Sequence, residues 1–527
     1  MKAFDVIIVG SGINSLTAGA ILSKQGKKVA IFERNHWLGG NILTDETVFP
    51  GFRTDVLSAY HTLFVTGPAY QECKDDLTAH GLRYRNTPVP TASIVPGRAA
   101  GDARSILFYT DRQRTIEEIN RHTPGDGDLF GTLLDEFQEL YADLVINTLT
   151  SDVRGWDAVK LGTKGMFSLG PSNSLELLGM AMRSARIWLD MNFKGEMTKA
   201  LLAPWVLHLG QSPDDATSSL MIQVVFSLLE KVGLPMPEGG GSRMAEAWIK
   251  IIRDHGGVLF TRAQVDSITV ENDKVTGVLV NGERVGADYV LANVTPTQLY
   301  GQLIHKDLVP AAISRETREY RYGRGDFVIH LTLDAPPHWP DDRLLEAGVI
   351  HITDGLDGLS QSCVDASRQV LPHWPTLTLG QHMAVDPSRG PQGTWILSVQ
   401  AQTVPNVPVG DAAGQITITN GWTDDVNEAY ADRIIDQIEA VAPGFRRQIT
   451  DRLIMSPTRL NELNPNMVGG DIYSGACTID QFLIWRPFKR MMPHETPFAN
   501  LFHIGASTHP GPGLAGTSGY LVAKGIH

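Results

Sequence analysis

An α/β chain is predicted, with a discontinuous nucleotide-binding domain built on a parallel sheet and an α+β lobe inserted into it. Three observations predict it: a strand, glycine turn and helix open the sequence, a glycine-rich block and a run of strands occupy its middle, and another strand, glycine turn and helix close it. At 527 residues the chain exceeds what one hydrophobic core normally serves, so two or more lobes are expected.

The first element is the apolar, β-branched run Phe4 to Val9, which suits a parallel strand covered on both faces. Gly10-Ser11-Gly12-Ile13-Asn14-Ser15 follows, then a helix-compatible stretch from Leu16 to Gln25. Gly10 permits a tight turn, and Gly12 lets the backbone approach a diphosphate whose charge is stabilised by free amides at the helix N-terminus. Ser15 stands where a third glycine is usual and is small enough to keep helix and strand close. The next strand, Lys28 to Phe32, ends at Glu33, about 20 residues beyond the glycines, where an acid can accept hydrogen bonds from ribose hydroxyls. Together these features specify a Rossmann-type dinucleotide fold. In Leu38-Gly39-Gly40-Asn41, paired glycines let main chain pass close to the cofactor.

The segment from Glu33 to Thr44, ERNHWLGGNILT, resembles the acid, arginine and double-glycine signature of flavoproteins in the phytoene desaturase and amine oxidase superfamily. Asn500 to Lys524 is similar to the closing FAD motif of phytoene desaturase-like and carotenoid isomerase-like enzymes, with Leu501 to Ile504 as a strand and a helix from Leu521 onward. Pro237 to Arg243 resembles the family's glycine-rich return to the cofactor domain and leads into an amphipathic helix carrying Met244, Ala247, Trp248 and Ile251. Val258 to Phe260, Gln264 to Glu271, Val275 to Val280 and Arg284 to Val290 then read as strands, with Asn281-Gly282 as a hairpin turn.

The resemblance implies FAD as cofactor. It places Arg34, Gly39, Gly40 and Asn41 beside Glu33 at the cofactor, brings the backbone of Val265 to the adenine, and brings Gly505 and Ala506 to the ribityl-diphosphate. It also brings Gly513, Leu514, Ala515, Gly516 and Thr517 to the isoalloxazine, although Ala515 stands where the family often has proline. Order and spacing of the three blocks suit the subgroup that contains pyridine nucleotide-disulphide oxidoreductase domain-containing protein 2.

These blocks divide the chain into an FAD-binding domain of residues 1–45, 237–299 and 490–527, and a substrate lobe of residues 46–236 and 300–489. The lobe is expected to hold helices over Asp128 to Asn147, Ser172 to Asn192 and Ala216 to Lys231, while residues 300–470 alternate strands and loops, Trp395 to Gln400 being one strand. A ligand pocket is expected at the lobe boundary.

FAD would carry the redox step, so the protein mainly has to align a substrate carbon. Tyr60 and His61 are candidates to face the ring, and the histidine to move a proton near neutral pH; hydrogen-bonded structural roles are the alternative. Tyr473 and Trp485 are candidates for lining an apolar pocket, and core packing is their alternative. His509 falls inside the closing motif and suits a structural or cofactor-adjacent role. The leading reading is an FAD-dependent dehydrogenase or oxidase that removes hydride from a small organic substrate, desaturating a C–C or C–N bond. A redox-neutral flavin isomerase, and a flavin-containing binding or assembly protein without turnover, are the rivals. Oxygen, quinone and nicotinamide remain open as electron acceptors, as does oligomeric state.

Forty-five basic against 58 acidic side chains give a net charge of −13 without a basic run, which argues against a nucleic-acid partner. Cys73, Cys363 and Cys477 are far apart and form no CxxC pair, so neither a disulfide framework nor a metal site is expected. Neither a secretory leader nor an apolar stretch of the roughly 20 residues needed to span a bilayer is read, and a cytoplasmic protein, with peripheral membrane association left open, is expected.

Overall fold

The computed structural model describes residues 2–97, 102–151 and 155–526. Two seven-stranded sheets organise it. The first has the order Val265–Glu271, Lys274–Val280, Glu283–Ala292, Lys2–Val9, Val29–Phe32, Val258–Phe260, with Leu501–His503 added in parallel to the end of Glu283–Ala292. Its central pairs are parallel, Val6 opposite Val29 and Val9 opposite Phe32, and Val6 to Val9 and Val29 to Phe32 are buried, as their continuous apolar runs require. Asn281 and Gly282 both have positive φ, 48° and 83°, and form the two-residue turn between Lys274–Val280 and Glu283–Ala292.

On one face of this sheet, the helix Ile13–Lys24 packs against Ser242–Asp254 and Thr517–Lys524. Met244, Ala247, Trp248 and Ile251 point into this core; burying each of the three larger side chains is worth about 1.5–3 kcal/mol. The closing helix begins at Thr517, four residues earlier than expected, because it lies directly on the opening one: a β-carbon on Gly519 would stand 1.8 Å from the carbonyl oxygen of Asn14. Gly519 therefore serves helix-to-helix contact.

The second sheet runs Ile449–Met455, Gly325–Leu333, Trp395–Val404, Leu377–Gly380, Ala347–Ile352, Val89–Val95, Arg104–Phe108. Residues 300–470 also contain the helices Gly355–Ser367 and Asp424–Val441, so strands and loops alone do not describe that region. The signal for the second is present in the sequence: Thr423 caps it through the Val426 amide, Asp424 and Asp425 occupy its first turn, and Val426, Tyr430, Ile434 and Ile438 recur at four-residue spacing. Two expected helices are each two. Asp126–Leu140 is separated from Ala142–Thr150 at Tyr141, and the helix ending at Met182 is separated from Ala185–Asn192 by Arg183 and Ser184, whose hydroxyl accepts from the Ile187 amide. The expected helix over Ala216 to Lys231 forms as Ser218–Val232.

Asp55, Asp386 and Arg389 join distant segments in the interior. Arg389 Nη1 lies 2.7 Å from Asp55 Oδ2 and Nε lies 3.2 Å from Asp386 Oδ2, and all three side chains are fully buried. Its Nη2 donates to the carbonyl of Pro237. Asp55 also accepts from Thr44 Oγ1 and the Gly241 amide, so one cluster holds the double-glycine region, the glycine-rich return and the second sheet together.

Candidate active site

One cavity of about 520 Å³ is lined by residues of both sheets' surroundings. At one end lie the opening glycine turn, Phe32 to Asn35, Ala263 to Val265 and Asn293; at the other lie side chains from the helices and the second sheet.

Ser11 organises the first end. Its amide and hydroxyl both donate to Glu33 Oε2, at 2.9 and 2.7 Å, and its Oγ accepts from the Gly39 amide at 3.0 Å. Glu33 Oε1 accepts from the Asn35 amide, so the carboxylate is held in place where the strand ends. Gly12 is the N-cap of Ile13–Lys24 and offers no capping side chain, which leaves first-turn amides available to an anion. The double-glycine segment presses against this turn: a β-carbon on Gly40 would stand 3.0 Å from Gly12 Cα.

All the expected cofactor residues line the cavity except Ser15 and Gly505. Ser15 is buried behind the turn, where its hydroxyl accepts from Asn293 Nδ2 at 2.9 Å. Gly505 also backs onto Asn293, and a β-carbon there would meet Asn293 Oδ1 at 2.3 Å. Both residues therefore position lining groups without touching the cavity. Asn464, Pro465 and Asn466 do line it and escape the sequence reading. Asn464 donates to Asn41 Oδ1 and Asn466 to the Asn293 carbonyl, and the Asn-Pro-Asn cluster is the available sign of a functional loop.

The other end is mostly apolar, with Leu149, Trp205, Leu209, Met221, Val224 and Leu228 on its walls. Tyr60 faces it and donates to the Gly348 carbonyl at 2.5 Å; burial raises its pKa, so it stays a neutral phenol. His61 does not reach the cavity. Its Nδ1 pairs with the Tyr84 hydroxyl at 3.0 Å, its ring packs edge-on to Phe64 and Tyr84, and burial lowers its pKa to about 4, which suits the structural role and not proton transfer at neutral pH. Trp485 is 39% exposed and lies off the cavity, since the loop around it turns Phe482 inward instead. The neighbouring Arg486 is the buried residue of that block: it donates to the carbonyls of Tyr473, Gly475, Ala476 and Ala506, tying the loop to the closing motif. His509 is buried, with Nε2 3.1 Å from the Ser151 carbonyl oxygen.

Tyr473 lines the cavity as expected, but its hydroxyl is committed to the protein, accepting from Gln402 Nε2 at 3.0 Å and donating to the Leu207 carbonyl at 2.5 Å. His208 stacks on Trp205 and shares a hydrogen bond with His351, the Nε2 atoms 2.9 Å apart; burial lowers the pKa of His208 to about 4 and keeps it neutral. Asp326 also faces the cavity. Among the described residues, no group of three or more histidines, cysteines or acids is placed to hold a metal ion, the three cysteines form no disulfide, and no helix is long and apolar enough to cross a membrane.

The NAD(P)-binding Rossmann-like domain family matches residues 8–75, which include the opening turn and Glu33. Over nearly the full length, the chain is 27% identical to the pyridine nucleotide-disulfide oxidoreductase domain-containing protein 2 of Rattus norvegicus, covering 98% of this chain and 92% of that protein. The chain is an oxidoreductase. A limonene dehydrogenase polypeptide of Castellaniella defragrans is 25% identical to this oxidoreductase, covering 100% of this chain and 95% of that one. A putrescine oxidase variant shares its fold with a TM-score of 0.60 at 14% identity, covering 99% of this chain and 98% of that chain.

Proposed function

We propose that this oxidoreductase is an FAD-dependent dehydrogenase or oxidase that removes hydride from an apolar organic substrate, desaturating a C–C or C–N bond. The observation that carries the reading is the continuity of one cavity from an uncapped helix N-terminus and an oriented acid to an apolar chamber. FAD, when bound, supplies the hydride acceptor at flavin N5. The residues present fit it: first-turn amides after Gly12 would hold the diphosphate, Glu33 the adenosine ribose, the Val265 backbone the adenine, and Gly513 to Thr517 the ring. The cofactor domain in this reading comprises residues 1–45, 237–299 and 490–527, which supply every strand of the first sheet; the substrate lobe is residues 46–236 and 300–489.

The chain's own contribution is to bind and orient the substrate and to exclude water. The aliphatic walls favour an apolar body, and Tyr60, His208 and Tyr473 stay neutral and hydrogen-bonded to protein groups, which keeps charge out of the chamber. The decisive measurement is the visible spectrum of the purified protein before and after denaturation, followed by anaerobic titration with terpenes, alcohols and amines. Released FAD together with bleaching by one class is expected. A protein that takes up no flavin on reconstitution overturns the reading, and bleaching without an oxidised product favours the isomerase.

A further inference from the structure

Among the described residues, Asp326 is a buried acid without a hydrogen-bond partner. It is 2% exposed, it lines the chamber, and neither carboxyl oxygen has a hydrogen bond. Along Gly325–Leu333, the side chains of Phe327, Ile329, Leu331 and Leu333 enter the second sheet's core, so alternation sends Asp326 to the opposite face, toward the chamber; the pairing shifts beside it, with Gly325 opposite Val404 and Phe327 opposite Ala401.

A buried polar group without a partner is costly, and native proteins keep few of them. Three neighbouring polar groups are already committed. Gln402 accepts from Thr378 and donates to Tyr473, the Tyr473 hydroxyl is doubly bonded, and His208 is bonded to His351. The chamber thus presents a mostly apolar wall with one buried carboxyl group that has no partner among the described residues.

We propose that Asp326 anchors the substrate by hydrogen bonding to a hydroxyl group on an otherwise apolar molecule. The choice of hydroxyl follows from the surroundings. Burial raises the Asp326 pKa to about 7, offset only in part by the nearby Phe327 amide, so that the group is shared between acid and carboxylate near neutral pH. A hydroxyl both donates and accepts and pairs with either form, whereas an ammonium group would bring a second desolvated charge into an apolar space. Asp326 is a binding residue in this account; no proton transfer is assigned to it. The inference rests on the reading of the chamber as the substrate site.

The test uses three ligands of one skeleton, limonene, perillyl alcohol and perillylamine, titrated by calorimetry into the holoprotein and its Asp326→Leu and Asp326→Asn variants. Wild type is expected to prefer the alcohol to the hydrocarbon by about tenfold. Asp326→Leu should abolish that preference while keeping hydrocarbon affinity, and Asp326→Asn should retain most of it. An unchanged alcohol-to-hydrocarbon ratio in Asp326→Leu overturns the proposal, as does binding of none of the three. Tighter binding of the amine than of the alcohol overturns the choice of hydroxyl. Both variants should melt at or above the wild-type temperature at pH 8; a lower melting temperature in both would show a structural role and overturn the anchor. Flavin content is read on the same samples: alcohol preference in a protein without flavin retains the anchor and refutes the redox reading, while bound flavin without preference does the reverse.

Discussion

Asp55 and Asp326 are two acids buried to the same degree in two regions of the second lobe's boundary, and the fold treats them oppositely. Around Asp55, burial is the largest single influence and would raise the pKa, but Arg389, His382, Thr44 and the Gly241 amide together outweigh it and hold the carboxylate below its ordinary value. Around Asp326 burial acts almost alone. A buried charge whose partners all come from the protein holds segments together; one whose partners are withheld has its capacity left for a ligand.

The largest effect should come from breaking the partnered region. Arg389→Leu leaves Asp55 buried without its guanidinium partner and Asp386 with only the half-exposed Arg85, and is expected to cost about 3–5 kcal/mol in urea unfolding. A loss below about 1 kcal/mol would mean that the cluster is dispensable and the contrast with Asp326 is empty.

Asp326→Asn should move stability the other way, by about 2–4 kcal/mol at pH 8. The sign follows from the raised pKa: the native state keeps its proton between the ordinary value near 4 and about 7, while the unfolded chain loses it, so rising pH destabilises the wild type across that window. The gain from asparagine should therefore vanish near pH 4 and level off above pH 7, read as a difference in melting temperature. Buried neutral imidazoles act oppositely in both proteins. Burial lowers the pKa of His61, His208, His330 and His503 to about 4, so their contribution is complete above about 6.5 and is lost as pH falls toward 4. Taking the difference between variant and wild type removes this background.

Glu33→Ala tests the other end of the cavity, where the acid is held by protein donors. It strips the acceptor from the amides of Ser11 and Asn35 and should cost about 1–3 kcal/mol. Under the flavin reading it should also lower the flavin-to-protein absorbance ratio of the purified protein; full retention would separate the acid from cofactor binding.

The same contrast explains what can be read in the sequence. The first end is encoded by contiguous runs, Gly10 to Ser15 with Glu33 and Gly513 to Thr517, because a close backbone approach demands glycine at fixed spacing whatever surrounds it. Ser15 is legible as a packing residue, yet its expected place on the cavity wall fails, since sequence spacing does not say which side of a turn faces the ligand. The chamber offers no such run. Asp326, His208, Gln402 and Tyr473 come from separate elements, and although strand alternation sets Asp326 on the face opposite Phe327, Ile329 and Leu331, no local pattern says that a cavity lies on that side. Tyr60 and His61 are adjacent in sequence, yet only Tyr60 reaches the cavity, because His61 turns to Tyr84 in the core of the first lobe.

The smallest predicted effect separates a committed polar group from an unspent one. Tyr473→Phe removes a hydroxyl that bonds Gln402 and the Leu207 carbonyl but keeps the ring on the chamber wall, and should cost about 1 kcal/mol. Because that hydroxyl is fully occupied, alcohol and hydrocarbon affinities should both change less than about twofold, unlike the selective loss in Asp326→Leu. If Tyr473→Phe instead removed the alcohol preference while the melting temperature barely moved, the hydroxyl would have to leave its protein partners for the ligand. Hydrogen-bond saturation in the resting fold would then no longer identify the group that binds substrate, and the distinction drawn between Asp55 and Asp326 would lose its functional meaning.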